Sequence, residues 1–139
     1  MGKILTQNNH IIKSFELSKL DKKGYSKTAS AQFGAVLCSA GERLYLDRVR
    51  IYSPDAASGT AEATVALHIT TSNASSEGGT DSSTLSINTK LAEVHLATAH
   101  QREEVELNYI GDAGEDLVVD LDVTAGSPTV EVIVFYKKL

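Results

Sequence analysis

The sequence predicts an all-β protein, a jelly-roll-like antiparallel β-sandwich with an N-terminal arm. Apolar and polar side chains alternate with a period of two in seven or eight short segments, as in strands that bury one face. Turn residues separate these segments about every 8–12 residues, a spacing typical of sandwiches and barrels. The chain of 139 residues has neither an internal repeat nor a Pro-rich linker, so we expect one folded domain after the arm.

The arm differs from the body in charge. Residues 1–27 form a basic N-terminal arm with six lysines and two acidic residues, and residues 28–139 form the β-sandwich domain, whose net charge is −9. Basic tails bind nucleic acids or membranes when their positive charge is concentrated. The lysines of this arm alternate with apolar residues, and the arm has no arginine. We therefore expect no nucleic acid and no membrane partner, and an arm that lies on an acidic surface of its own body, a sister subunit or a partner.

The first clear strand of the body contains a change of phase. Leu44 and Leu46 share one parity, whereas Val49 and Ile51 share the other. An inserted residue reverses the facing of everything that follows it in a strand. The sequence therefore predicts a β-bulge or a corner near Asp47.

The middle of the body alternates more simply. Strands are predicted around residues 64–70 and 104–109, with weaker signals at residues 30–38 and 91–96. Residues 72–83 are polar and rich in serine, and they predict a long exposed loop. Residues 10–20 of the arm fit either an extended segment or a short helix.

The C-terminal segment gives the strongest strand signal. Residues 117–124 alternate with one polar face, and residues 129–138 are rich in β-branched side chains. Gly126 and Pro128 lie between them and are typical turn residues. We predict that these two strands pair as a hairpin.

No catalytic or metal-binding motif is evident in the sequence. A serine hydrolase of the α/β type would show a Gly-x-Ser-x-Gly elbow, and a cupin metal centre would show a His-x-His pair. The chain has neither motif, and its four histidines are scattered. The alternative is a calcium site at one of two acidic groups, residues 112–116 or residues 120–122. Neither group matches a calcium-loop pattern. We expect no enzyme activity, no metal and no cofactor.

The composition points to a protein made in a reducing cytoplasm. Cys38 is the only cysteine and cannot form an intramolecular disulfide, so we expect a small buried side chain. The sequence has no signal peptide and no apolar run as long as a membrane span. We therefore expect a soluble protein.

Two parts of the sequence carry a family resemblance. GEDLVV at residues 114–119 and GSPTVEV at residues 126–132 resemble the closing hairpin of small β-sandwich virion proteins, and so does GERLYLDRVRI at residues 41–51. The size, the arm and the serine-rich loop look like those of the small jelly-roll capsid cement (decoration) proteins of tailed bacteriophages.

This resemblance implies a structural virion protein that binds and stabilises a bacteriophage capsid. Its partner would be the major capsid protein, and it would be a homo-oligomer, with a dimer favoured over a trimer. It would be made in the host cytoplasm and located on the capsid exterior. The implied partner-binding residues are Lys13, Phe15, Leu17, Leu20, Lys22, Lys23 and Tyr25.

Two alternatives stay open. The apolar residues of the arm would also suit ordinary packing onto their own sheet. The chain would also suit a carbohydrate- or receptor-binding jelly-roll module such as a tail-fibre domain, although it has no tryptophan and only 6% aromatic residues to stack on sugar rings.

Overall fold

The computed structural model describes residues 3–4, 20–28, 33–38, 43–70, 89–112 and 114–139. These residues form strands β1 (Lys3–Ile4), β2 (Asp21–Thr28), β3 (Phe33–Cys38), β4 (Leu44–Ser53), β5 (Glu62–Thr70), β6 (Thr89–Leu96), β7 (Gln101–Gly111), β8 (Asp116–Ala125) and β9 (Thr129–Lys138). The predicted all-β fold is confirmed. Within these ranges no helix is long and apolar enough to cross a membrane.

The strand order is that of a jelly roll. Antiparallel pairs are nested along the chain, with β2 on β9, β3 on β8, β4 on β7 and β5 on β6. Two further pairings, β4 with β9 and β5 with β8, join these nested pairs into two sheets. The five-stranded sheet has the order β1-β7-β4-β9-β2, and the four-stranded sheet has the order β3-β8-β5-β6. The predicted jelly-roll-like sandwich is confirmed.

The predicted hairpin of the last two strands is wrong. β8 lies between β3 and β5 in the four-stranded sheet, whereas β9 lies between β4 and β2 in the five-stranded sheet. The turn around Gly126 therefore carries the chain from one sheet to the facing sheet. Glycine and proline indicate where a chain reverses, but they do not determine whether the flanking strands bond to each other.

The bulge predicted near Asp47 is confirmed. The register of β4 shifts between Leu46 and Arg48 in its ladders with both β7 and β9. Val49 and Ile51 therefore face the core, and both are fully buried. The core fills the space between the two sheets with aliphatic side chains that include Val65, Leu67, Leu117, Val119, Leu121, Val132 and Val134.

The sandwich includes residues that the sequence analysis assigned to the arm. β2 pairs with β9 along its whole length, from Asp21 opposite Tyr136 to Thr28 opposite Thr129. Its lysines hid this strand in the sequence, but lysine is common on an edge strand, where it discourages pairing with other chains. The rest of the arm beyond Lys3, Ile4 and Leu20 lies outside the described residues, as does the predicted loop at residues 72–83.

Candidate binding surfaces

The outer face of the five-stranded sheet carries a group of arginines around two aromatic rings. Because Val49 and Ile51 point into the core, the alternate residues of β4 point outward. We call this surface the arginine face. It consists of Lys22, Arg48, Arg50, Tyr52, Arg102, Glu104, Glu131, Ile133 and Phe135.

Phe135 lies at the centre of one half of the arginine face. The Arg48 guanidinium carbon is 3.9 Å from the centre of its ring, and that of Arg50 is 5.4 Å away. The Lys22 ammonium, from the neighbouring strand β2, is also 5.4 Å from the ring centre. Cations at these distances are attracted to the ring face, and their aliphatic stems cover it. Phe135 is therefore only 4% exposed although it faces away from the core.

Arg48 is held in place by two carboxylates. Its Nε donates to Glu104 at 2.6 Å, and a terminal nitrogen donates to Asp47 at 2.7 Å. Asp47 is the bulge residue and is buried, and it also accepts a 2.7 Å hydrogen bond from the Tyr45 hydroxyl. Burial, followed by this hydrogen bond, raises the pKa of the Tyr45 hydroxyl. The bulge thus anchors one end of the arginine face.

The other half of the arginine face is a shallow depression of about 190 Å³, lined by Arg50, Tyr52, Arg102, Glu131 and Ile133. The Arg102 guanidinium carbon lies 5.4 Å from the Tyr52 ring centre, and no carboxylate pairs with Arg102 in the described part of the chain. The Nε of Arg50 is buried without a hydrogen-bond partner among the described residues, and its Nη2 lies 3.9 Å from a carboxylate oxygen of Glu104. The terminal nitrogens of Arg102, and those of Arg50 beyond this long ion pair, retain donors for a carboxylate or carbonyl of a partner.

The outer face of the four-stranded sheet has a hydrogen-bonded chain that resembles a hydrolase triad. Thr64 Oγ1 lies 3.1 Å from His95 Nδ1, and His95 Nε2 lies 2.9 Å from Glu62 Oε1. The hydrogen bond with His95, and then the one from the Gly59 amide, lower the pKa of Glu62. However, β5 is paired on both sides, so its amides serve the two ladders and do not form an oxyanion hole beside Thr64. We interpret the three side chains as a cross-strand contact.

In the acidic turn at residues 112–116, considered above as a calcium site, the carboxylate of Glu115 accepts hydrogen bonds from its own chain. Glu115 is buried, and its Oε1 accepts hydrogen bonds from the Asp112 amide at 2.7 Å and from the Tyr109 hydroxyl at 3.2 Å. Among the described residues, no three His, Cys, Asp or Glu side chains are arranged to hold a metal ion.

This arrangement makes a prediction about Glu115. Glu115→Ala is expected to lower the free energy of unfolding by about 1–3 kcal/mol, because the amide and the hydroxyl lose this acceptor. Glu115→Gln keeps one acceptor oxygen and should cost less. Urea denaturation of the two variants measures the difference, and an unchanged free energy of unfolding in Glu115→Ala would show that the carboxylate does not stabilise the turn.

The structure separates the predicted partner-binding residues. Lys13, Phe15 and Leu17 lie outside the described residues, Leu20 is half-buried before β2, and Lys22, Lys23 and Tyr25 lie in β2. Lys22 belongs to the arginine face, whereas Tyr25 packs against the core and shares its parity with Lys23. Burial raises the pKa of Tyr25 to about 12.

The arginine face was missed at the sequence level because its residues come from four strands that are far apart in the chain. Their meeting depends on the register of β4 between β7 and β9, which places Arg50 opposite both Glu104 and Ile133. No protein-family model and no curated protein matches this chain.

Proposed function

We propose that this chain is a structural virion protein that binds and stabilises a bacteriophage capsid, as the cement or decoration proteins that it resembles do. In this proposal it acts without catalysis on the capsid exterior, as a homo-oligomer, and its partner is the major capsid protein. The resemblance supplies the class of partner, and the arginine face supplies a surface for it.

The observation that carries the proposal is the depression between Arg50 and Arg102. Arginine and tyrosine are enriched at the energetic centres of protein interfaces, where they combine apolar area with directed hydrogen bonds. Both guanidinium groups lie on paired strands of a rigid sheet, so binding would cost little conformational entropy. An acidic or carbonyl-rich segment of a capsid subunit would complement this depression.

The test is co-sedimentation of the purified chain with heads of the encoding phage that lack it. We expect the wild-type chain to bind these heads and to raise the temperature at which they break open. The double variant Arg50→Ala and Arg102→Ala should bind at least about tenfold more weakly, because residues at interface centres each contribute about 1–3 kcal/mol.

The matched control is Arg43→Ala, because Arg43 is exposed and lies outside the arginine face. This variant should bind as the wild type does, and thermal melting should show that all variants fold. Equal binding by the double variant would remove the arginine face from the interface. Binding to a glycan array without binding to heads would instead support the carbohydrate-binding alternative.

A further inference from the structure

A second depression lies on the outer face of the four-stranded sheet, on the opposite side of the sandwich from the arginine face. Its volume is about 370 Å³, and it is lined by Thr64, Ala66, His68, Lys90, Glu93, Asp120 and Asp122. Ala66 lies at its floor, directly opposite Glu93 on β6 and Asp120 on β8. Because the alanine side chain is a single methyl group, the longer side chains around it form walls. We call this feature the acidic depression.

The acidic depression is negatively charged. Three carboxylates line it, and the one cation among the lining residues, Lys90, forms an ion pair with Glu93. Asp120 and Asp122 project from the same face of β8 and are separated by roughly 7 Å along the strand. A ligand that bridges them must therefore carry several hydrogen-bond donors. A guanidinium meets this requirement better than a single ammonium group.

His68 adds a second, independent observation at this site. It lines the depression, is only 9% exposed, and its Nδ1 is itself buried without a hydrogen-bond partner among the described residues. A buried polar atom without a partner costs about 1–3 kcal/mol, and such atoms are few in native proteins. Burial lowers the pKa of His68, so the ring is neutral at pH 7 and leaves the negative charge of the depression intact.

We infer that the acidic depression binds the guanidinium group of an arginine that a protein partner presents. A guanidinium has five N–H donors in a planar fork, which suit the carboxylates of the depression. The volume fits the end of a long side chain, and the carboxylates and imidazole are not arranged around a single point as metal ligands would be. The inference goes beyond the proposed function, because it requires a protein partner on the other sheet but not a capsid.

The inference can be tested on the isolated chain by NMR. N-acetyl-arginine amide, whose only charge is the guanidinium, is titrated while the ring proton of His68 and the amide of Ala66 are followed. We expect saturable shifts with a dissociation constant on the order of millimolar, as for one side chain without its protein. N-acetyl-citrulline amide, which has nearly the same shape and no charge, should give no saturable shift.

Two variants test whether the carboxylates bind the arginine amide. Asp120→Asn with Asp122→Asn should weaken binding of the arginine amide at least tenfold, because both acceptors lose their charge. The matched control Asp21→Asn changes an exposed aspartate on β2 of the other sheet and should leave the affinity unchanged. Equal affinity in the double variant and the wild type would overturn the inference.

The pH dependence gives a readout specific to His68. Its neighbours are Asp120, Lys90 and Glu93, and protonation of the ring adds a positive charge among them. Affinity for the arginine amide should therefore fall as the pH decreases through the lowered pKa of His68, and His68→Gln should remove this step. The inference is wrong if citrulline amide binds equally, if neither compound binds, if the step persists in His68→Gln, or if zinc saturates the site and excludes arginine amide.

Discussion

Replacing Gly126 by alanine is expected to lower the free energy of unfolding by more than about 3 kcal/mol, which is the range of the most severe single substitutions. Gly126 has a φ of 61°, and a Cβ on it would lie 1.9 Å from the carbonyl oxygen of Thr60. The turn between the sheets would have to move away from the β4–β5 loop. That movement would also strain the 2.8 Å hydrogen bond from the Thr129 amide to Asp55.

Gly59→Ala is the matched control for this prediction. Gly59 also has a positive φ, of 76°, but a Cβ there would meet no atom within 4 Å. Only the conformational cost of about 1–2 kcal/mol should remain. Urea denaturation of both variants isolates the contact at Thr60, and equal losses would contradict the close approach of the two loops.

The second large effect is expected at the β4 bulge. Asp47→Ala should lower the free energy of unfolding by about 3 kcal/mol, because it removes a buried carboxylate that accepts hydrogen bonds from a guanidinium and a hydroxyl. The Arg48 guanidinium and the buried Tyr45 hydroxyl both lose an acceptor. The arginine face would also lose the support of Arg48 over Phe135.

Glu104→Ala tests the same arginine from its exposed side. Glu104 pairs with Arg48 at 2.6 Å, but its side chain is 44% exposed, so the loss should be below about 1 kcal/mol. Chemical denaturation should therefore separate the two variants clearly. Similar losses would show that burial of Asp47 does not set the strength of this network.

Several parts of the fold could be predicted from local pattern alone. Alternation identified most strands of the body because one face of each is buried in the core. The phase change after Leu46 located the bulge, since a period of two cannot be maintained across an inserted residue. The nested pairing of strands could not be read in this way, because it depends on contacts between residues far apart in the chain.

The errors have physical reasons. The Gly126 turn was interpreted as a hairpin turn because its residues favour reversal, whereas the pairing of β8 and β9 with other strands is decided by the packing of the two sheets. β2 was interpreted as part of the arm because lysines at Lys22, Lys23 and Lys27 obscure its alternation. An edge strand needs little apolar surface, so its sequence resembles that of a tail.

The candidate surfaces were even less accessible from the sequence. His68 is an ordinary strand residue by pattern, and only the structure shows that it is buried with an unpartnered nitrogen beside Asp120 and Asp122. Arg50 and Arg102 are likewise separated by more than fifty positions in the chain. In these two proposals the sandwich presents an arginine-rich surface on one sheet and an arginine-binding depression on the other, as expected of a protein that connects two neighbours.

We propose that the arginine face is the surface that contacts a capsid. A cryo-electron microscopy reconstruction of heads incubated with the purified chain tests it most directly. We expect ordered density outside the shell, with the five-stranded sheet facing the major capsid protein and Arg50 and Arg102 at the contact. A reconstruction in which the heads carry no such density, or in which the arginine face points to solvent, would contradict it.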